Sequence, residues 1–522
     1  MRRFLLILSL PFSRMISGSG EESRHCAGED KTGVHERKTN RMRIRPPRII
    51  QGGMGAGVSN WRLARAVSEL GELGVVSGTG LDQIMARRLQ SGDPGGHVRR
   101  ALGHFPLRQI ADRILDMLYV PGGRRNRAAY RSIGMHEIEG SRQAQEFCIA
   151  ANFVEVFLAR EGHDNPVGIN YLEKIQLPHL PSLYGAMLGG VDVVIVGAGL
   201  PLQFPAALDR LARHLPAEYC IDVQGLPAGD PATRMVFNPR DFRDRGQCEL
   251  SSLKRPDFLP IVSSHTLALM LCRRAPGAIA GFVVEGSSAG GHNAPPRGRT
   301  RFNARGEPIY GPRDDIRLDD IRKLGLPFWL AGSYGSPDGL RAALAESAAG
   351  VQAGTLFALC RESGLDPDVR RKLIAKAMAG EASVLTDGAA SPTGFPFKVA
   401  EMEDSLSDPA VYARRRRVCD LGFLRRVCKG ENGAFVYRCP AEPESAYIAK
   451  GGRPEDTVGR KCLCNALIAN IGLPQTSAAG REQCLVTLGE DFARIGRLFS
   501  AAAFDTTAAD VVRFLREEKP SP

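Results

Sequence analysis

Phe282-Val283-Val284-Glu285-Gly286-Ser287-Ser288-Ala289-Gly290-Gly291-His292 is a short apolar, β-branched run that ends in a carboxylate and passes into a small-residue loop carrying one histidine. The run has the composition of a buried strand. The loop is lean enough for backbone N–H groups to approach a flat or anionic ligand. The histidine brings a group that titrates near neutral pH. Alone, the stretch is more simply a glycine-rich surface turn with a solvated histidine. Its neighbours along the chain change that reading.

From Ile49 onward, similar runs alternate with amphipathic stretches, the pattern of βα units around a parallel sheet. Strands are predicted at 48–51, 74–77, 166–170, 192–196, 259–263, 281–285, 327–331 and 350–352. Eight such units fit a closed (β/α)₈ TIM barrel, whose active site lies at the C-terminal ends of the strands. Small or polar residues follow nearly every run: Gly52-Gly53-Met54-Gly55, Gly78-Thr79-Gly80, Asn170, Gly197-Ala198-Gly199, Ser263-Ser264, Gly332-Ser333-Tyr334-Gly335 and Gly354-Thr355. An open doubly wound sheet would gather its glycines at one crevice instead. Trp61 to Leu70 repeats apolar residues at helical spacing, with Ser59 and Asn60 as candidate N-caps.

The expected organisation is a barrel over residues 42–400 with two insertions. Residues 81–165 carry helical stretches, and 216–257 a short β excursion with strands at 219–223 and 234–237; both are candidates for a substrate lid. Residues 401–522 read as a mostly helical, cysteine-rich C-terminal appendage. Residues 1–41 read as a disordered extension, or as sequence upstream of a true start at Met42. Met1-Arg2-Arg3 and the apolar run to Leu10 mimic a signal peptide, but no small-residue cleavage site follows.

Composition narrows the function. Of 522 residues, 43% are hydrophobic and 24% charged, as in ordinary globular proteins. No apolar run is long enough to span a bilayer, so no membrane partner is expected. The net charge of +12 is spread along the chain, which argues against nucleic acid and favours an anionic small molecule. The dense run Arg414–Arg417 reads as a solvated helix face. The twelve cysteines are not spaced like a disulfide scaffold, which fits a reducing, cytoplasmic setting. Cys439, Cys462 and Cys464 make a conceivable metal site, but with no Cys-x-x-Cys pair buried structural thiols are preferred and no metal is expected.

The loops after the last two strands are where a barrel holds phosphate, through backbone N–H groups and a helix N-terminus. Gly332-Ser333 and Gln352-Ala353-Gly354-Thr355 occupy those positions, and Ser336-Pro337-Asp338 reads as cap, first-turn proline and first-turn acid. A phosphate-bearing cofactor follows, and FMN fits best, with its ring reaching towards strands one and six. Gly197-Ala198-Gly199 is only a weak dinucleotide lookalike, because Leu200 and Pro201 stand where a helix should start.

At these residues the chain resembles a known family. Gln51-Gly52-Gly53-Met54, Val167-Gly168-Ile169-Asn170, Ala289-Gly290-Gly291-His292, Ala331-Gly332 and Gly350-Val351-Gln352-Ala353-Gly354-Thr355 occur in the order seen in the nitronate monooxygenases, formerly 2-nitropropane dioxygenases. The resemblance covers roughly residues 45–360. It implies an FMN-containing TIM barrel, related to flavin-dependent enoyl-ACP reductases, acting on a small molecule with O2. It implies His292 as catalytic base, with Asn170, Gly290, Gly332, Ser333, Gln352, Ala353, Gly354 and Thr355 contacting FMN. Gly53 and Met54 would lie along the isoalloxazine, and Glu285 would stand near it.

Three positions depart from that family. It usually has glutamine where this chain has Glu285; an ionised carboxylate there would disfavour the anionic reduced flavin. Ser288 replaces a glutamate, and Ser333 replaces the second glycine of the phosphate loop. Alternatives in activity are an enoyl-thioester reductase or a non-catalytic flavin- or phosphate-binding assembly protein. Lys174 reads as a surface lysine within reach of a phosphate, His163 as a loop residue and His265 as part of a barrel-mouth loop. Tyr334 is placed to stack on substrate or pack on the flavin edge. The segment Gly459-Arg460-Lys461-Cys462-Leu463-Cys464-Asn465 is assigned no mechanistic part.

Overall fold

The β-branched runs form eight parallel strands, each hydrogen-bonded to two neighbours, so the sheet has no free edge. They are β1 (Ile49–Gln51), β2 (Leu73–Ser77), β3 (Val167–Leu172), β4 (Val193–Gly197), β5 (Asp257–Val262), β6 (Phe282–Glu285), β7 (Phe328–Ala331) and β8 (Gly350–Ala353). They close in sequence order, with Ile49 of β1 opposite Val351 of β8. The fold is a (β/α)₈ barrel, as expected, and the strand bounds shift by two residues or fewer. The computed structural model describes residues 42–517, apart from 126–127, 228, 245–249, 478–479 and 498–502. The reading of residues 1–41 lies outside the described residues.

Period-two burial explains the barrel's filling. Ile50, Leu73, Val75, Val193, Ile195, Leu259, Val283 and Trp329 point inward and pack as one cluster, stopped at the N-terminal end by Met42 and Ile44. The Trp329 indole donates to the Pro47 carbonyl at 2.8 Å, satisfying its buried N–H. The outward residues face a ring of helices: α1 (Trp61–Glu69), α2 (Arg142–Arg160), α3 (His179–Leu188), α4 (Phe204–Leu211), α5 (His265–Arg274), α6 (Leu318–Arg322), α7 (Pro337–Ala345) and α8 (Ala508–Arg516). Close approach of α1 to β2 requires Gly74, where a Cβ would lie 1.8 Å from the Ala64 carbonyl oxygen. The insertion 81–165 supplies α2 and the helices Leu81–Gln90 and Arg108–Leu118 that cover it. That cover explains why α2 is buried on nearly all sides. Among the described residues no helix is long and apolar enough to cross a membrane.

The segment after residue 400 is not an appendage. The last described helix, α8, packs between α7 and α1, the place of the eighth helix of the ring. Its Val511, Val512 and Leu515 join Leu63, Val67 and Phe357 in one core. Arg516 pairs at 2.7 Å with Glu72, whose other carboxylate oxygen takes the Ile49 N–H. More than 150 residues therefore separate β8 from the helix that completes its βα unit. They include the antiparallel pairs β9 (Val384–Asp387) with β10 (Phe397–Ala400) and β11 (Arg426–Lys429) with β12 (Phe435–Arg438). β11 also pairs in parallel with Val223–Gln224 of the β excursion; the strand expected at 219–223 is instead divided between Ala217–Cys220, which pairs antiparallel with Arg234–Phe237, and Val223–Gln224. The arginine run is correspondingly half interior. Arg415 forms a double contact with Glu482 at 3.0 and 3.2 Å, and Arg417 donates to the Thr457 carbonyl.

Candidate functional site

Because parallel strands end together, their eight C-terminal loops meet at one mouth of the barrel. They line a cavity enclosing about 1470 Å³ of space between atoms, its open side included. Every residue singled out for the site in the sequence lies in its wall: Gly53, Met54, Asn170, Glu285, Gly290, His292, Gly332, Ser333, Gln352, Ala353, Gly354 and Thr355. Tyr334 does as well. Lys174, His163 and His265 do not. Lys174 pairs with Glu173 at 3.5 Å, and His163 Nε2 meets the Ala159 carbonyl at 2.8 Å. His265 opens α5.

The floor beneath β1 is built by close contact. A Cβ on Gly53 would fall 2.3 Å from Asn170 Cβ, so the chain here stays flat against β3. Across the mouth, Gly332 and Ser333 have φ of +93° and +58°, a left-handed pair that costs Ser333 some strain. Two successive amides in such a turn form an anion-binding concavity. No acceptor among the described residues takes either N–H. Ser336 caps α7 by accepting the Gly339 N–H at 2.9 Å. Gln352 Oε1, in the same wall, is buried without a hydrogen-bond partner.

The opening loop is held from outside the barrel. His292 pairs by its backbone with Phe397 of β10, the Lys398 N–H donates to the Gly291 carbonyl at 2.9 Å, and the Asn293 N–H donates to Pro396. Its imidazole meets the Phe397 ring edge-on at 4.8 Å, and Nε2 lies 2.7 Å from Ser391 Oγ. Burial in this charge-poor wall pushes the His292 pKa down to about 4, so the ring is neutral at pH 7. The same desolvation pushes Glu285 up to about 8, so its carboxyl is uncharged at pH 7. The concern that a carboxylate at 285 would repel an anionic ring is thereby removed below about pH 8.

The shift at Glu285 has a consequence for stability. The folded state holds this proton between about 4.5 and about 8, where the unfolded chain releases it. Stability therefore falls as pH rises through that window. Thermal unfolding of ligand-free Glu285→Gln and parent protein at pH 5, 6.5 and 8 should show a Tm advantage for the glutamine that widens with pH. A gap independent of pH would contradict the neutral carboxyl.

What the sequence did not reveal is the roof. No residue of 81–165 or 216–257 lines the cavity, so neither insertion is its lid. The segment after residue 380 takes that part, with Phe397, Phe423, Leu424, Leu463, Cys464, Leu467, Ile468 and the run Thr487-Leu488-Gly489. Gly290 is tight because this run packs on it: a Cβ there would lie 2.9 Å from the Gly489 nitrogen. Thr487 Oγ1 accepts the Gly291 N–H at 2.8 Å, and Thr355 Oγ1 accepts that of Gly489 at 3.0 Å. Only the small residues of the loop signalled that something must press on it.

Among the thiols, Cys439, Cys462 and Cys464 cluster, and a hydrogen bond from Cys464 draws the Cys462 pKa down. Nine described cysteines are free, and Cys220 is disulfide-bonded. Among the described residues no group of three or more His, Cys, Asp or Glu side chains is placed to hold a metal ion.

Fold and site together define a (β/α)₈ barrel with one large cavity at its C-terminal mouth, walled by glycine loops and one neutral histidine. No protein-family model and no curated protein matches the chain. Solved structures similar to it include FabK from Thermotoga maritima, at 15% identity over 91% of this chain and 92% of that one, with a TM-score of 0.45. Nitroalkane oxidase from Streptomyces ansochromogenes is similar at 16% identity over 91% and 95%, with a TM-score of 0.43. The enoyl reductase domain of MlnA from the macrolactin biosynthesis cluster of Bacillus amyloliquefaciens is similar at 10% identity over 90% and 94%, with a TM-score of 0.42. Likenesses at this level assign no activity to the chain.

Proposed function

We propose that the chain is an FMN-dependent oxidoreductase of the nitronate monooxygenase kind, oxidising nitronates or nitroalkanes with O2. The observation that carries this reading is the neutral imidazole of His292 in the wall of a cavity that also holds, at Gly332 and Ser333, two amide donors with no acceptor among the described residues. The residues present fit FMN. The amides of Gly332, Ser333 and the 352–355 loop would hold its phosphate, the orphaned Gln352 Oε1 would find a donor, and Gly53, Met54 and Asn170 would lie along the ring. Asp491, beside Gly335, makes the phosphate end less positive than in a purely amide cradle.

Bound there, FMN would supply a two-electron acceptor for the substrate carbon. The chain's own contribution is proton transfer and exclusion of water. A neutral imidazole can take the proton α to a nitro group at physiological pH, where an ordinary histidine would be partly charged. Phe423, Leu424, Leu463, Leu467 and Ile468 keep the opposite wall apolar, which strengthens every polar contact made inside. That same apolar wall favours a second reading, a flavin-dependent enoyl-thioester reductase, because it offers room for an acyl chain.

The test is the purified full chain. Yellow protein with FMN, consuming oxygen with alkyl nitronates in the absence of NAD(P)H, is the expected result. Colourless protein that FMN cannot reconstitute overturns both readings. NAD(P)H-dependent reduction of an enoyl thioester, without nitronate turnover, replaces the first with the second.

A further inference from the structure

The residue hydrogen-bonded to His292 comes from the long excursion between β8 and α8. Ser391 lies in the turn 388–396 that joins β9 to β10 and is fully buried. Its Oγ is 2.7 Å from His292 Nε2 and 2.8 Å from Thr393 Oγ1, and it accepts the Thr393 N–H at 3.2 Å. Thr393 Oγ1 in turn accepts the Phe395 N–H at 3.4 Å. A chain of hydroxyls thus runs away from the imidazole into the protein. His292 Nδ1 has no partner among the described residues, so it is the nitrogen left for the cavity.

The turn itself is clamped by the segment that sequence reading left without a role. Arg460 donates to the carbonyls of Ala389 and Ser391 at 2.9 and 2.6 Å. The Lys461 N–H donates to the Ala390 carbonyl at 2.9 Å, and its ammonium pairs at 2.8 Å with Asp387, which caps the Ala389 and Ala390 amides. Arg426 of β11 donates to the Thr393 carbonyl at 2.7 Å. Arg460 and Lys461 immediately precede Cys462, Leu463 and Cys464, the last two of which line the cavity. One short stretch therefore both walls the site and fixes the partner of its histidine.

We propose that Ser391 is the positioning residue for His292, accepting the Nε2 proton so that Nδ1 presents its lone pair to the substrate, with Arg460 and Lys461 holding Ser391 in place. This rests on the proposed function only for the identity of the substrate. A hydroxyl can donate or accept, and the two choices leave opposite tautomers. If Ser391 donated to Nε2, Nδ1 would carry the hydrogen and the imidazole could not act as base towards the cavity. With Nε2–H donating to Ser391 Oγ, the Ser391 O–H donates on to Thr393 Oγ1. The α C–H bond of a nitroalkane then breaks towards Nδ1, its electron pair passes into the nitro group, and the imidazolium keeps its Nε2–H···Oγ bond.

The surroundings support a neutral starting ring. The Phe397 ring packs against it, and the pairs Lys398–Glu490 and Lys461–Asp387 are satisfied behind the loop. Arg460 is spent on carbonyls. Across the cavity stand Glu285 and Asp491. No side chain other than Ser391 hydrogen-bonds to the imidazole.

Two measurements on the full chain test the proposal. In FMN-free protein labelled with 15N-histidine, the His292 ring should show the Nε2–H tautomer, and Ser391→Ala should lose the downfield Nε2–H signal while keeping the parent Tm within a few degrees. In FMN-loaded protein, Ser391→Ala should lower kcat/KM for a neutral nitroalkane about 10- to 100-fold, less than the roughly 10⁴-fold that a wrong tautomer costs in a Ser-His-Asp triad. Turnover of the preformed nitronate, which needs no base, should change less than about twofold, and Ser391→Thr should restore most of the loss. An Nδ1–H tautomer in the parent protein overturns the proposal. So does an equal fall with both substrates, or no fall with either. If the parent protein turns over neither substrate, the proposed function fails and the tautomer measurement alone decides.

Discussion

Replacing His292 by Asn should leave FMN bound and lower kcat/KM for a neutral nitroalkane by about 10²- to 10⁴-fold, the range that a positioned general base contributes. Asn suits the test because its amide can still donate to Ser391 Oγ, so the loop stays tied to the turn that holds it. With the nitronate supplied ready-made, the same variant should retain most of its turnover. The parent enzyme has a second signature in pH. A base whose pKa is held at about 4 by burial stays competent until the medium reaches that value, whereas an exposed imidazole would fade below about 6.5. Stopped-flow flavin reduction by nitroalkane across pH 4–8 reads this directly. Loss of rate centred near 6.5, or an unchanged rate in His292→Asn, would remove the histidine from the chemistry.

A chain ending at residue 502 should fail to fold, and it should do so although every barrel strand remains. The deleted helix α8 buries Val511, Val512 and Leu515 to about 1% exposure or less. At about 1.5–3 kcal/mol for each such side chain, that is roughly 5–9 kcal/mol in a fold whose whole stability is of order 5–15 kcal/mol. The deletion also strips Arg516 from Glu72, which is 2% exposed at its side chain. Breaking a buried ion pair from one side costs about 3–5 kcal/mol more. Insoluble or molten product, judged by near-UV circular dichroism, is the expected result. A truncated chain with the parent's Tm would show that the last helix is an accessory after all. Arg516→Met is the milder companion, expected to lower Tm without abolishing folding.

The barrel was legible because its signal is local. Each strand is a short, largely apolar run of three to six residues, and nearly all are followed by glycine or another small residue at the same end. The wall of the site was legible for the same reason, since Gly53, Asn170, His292 and Gly332 stand at or shortly after the C-terminal ends of strands. Ser391 carries no such mark. It lies in a proline- and glycine-rich turn 99 residues after the histidine it touches, and only pairing of β10 with the His292 loop brings the two together. The roof was hidden because its apolar residues, such as Leu463 and Leu467, read equally as the buried face of any helix. The closing helix was missed because its amphipathic pattern names a face to bury and not the partner, and more than 150 residues intervene.

That separation between β8 and α8 reaches into the chain's synthesis. A ribosome delivers the barrel-loop wall of the cavity, from Gly53 to Thr355, long before it delivers the helix that seals the ring. Contacts of such long sequence range are slow to form, and a nascent barrel waiting for its last βα unit exposes the seam between α7 and α1 to other chains. The roof segment lies within the same excursion, so the cavity's cover is also synthesised after its wall. A growing chain therefore holds the histidine loop well before it holds the helix that closes the ring.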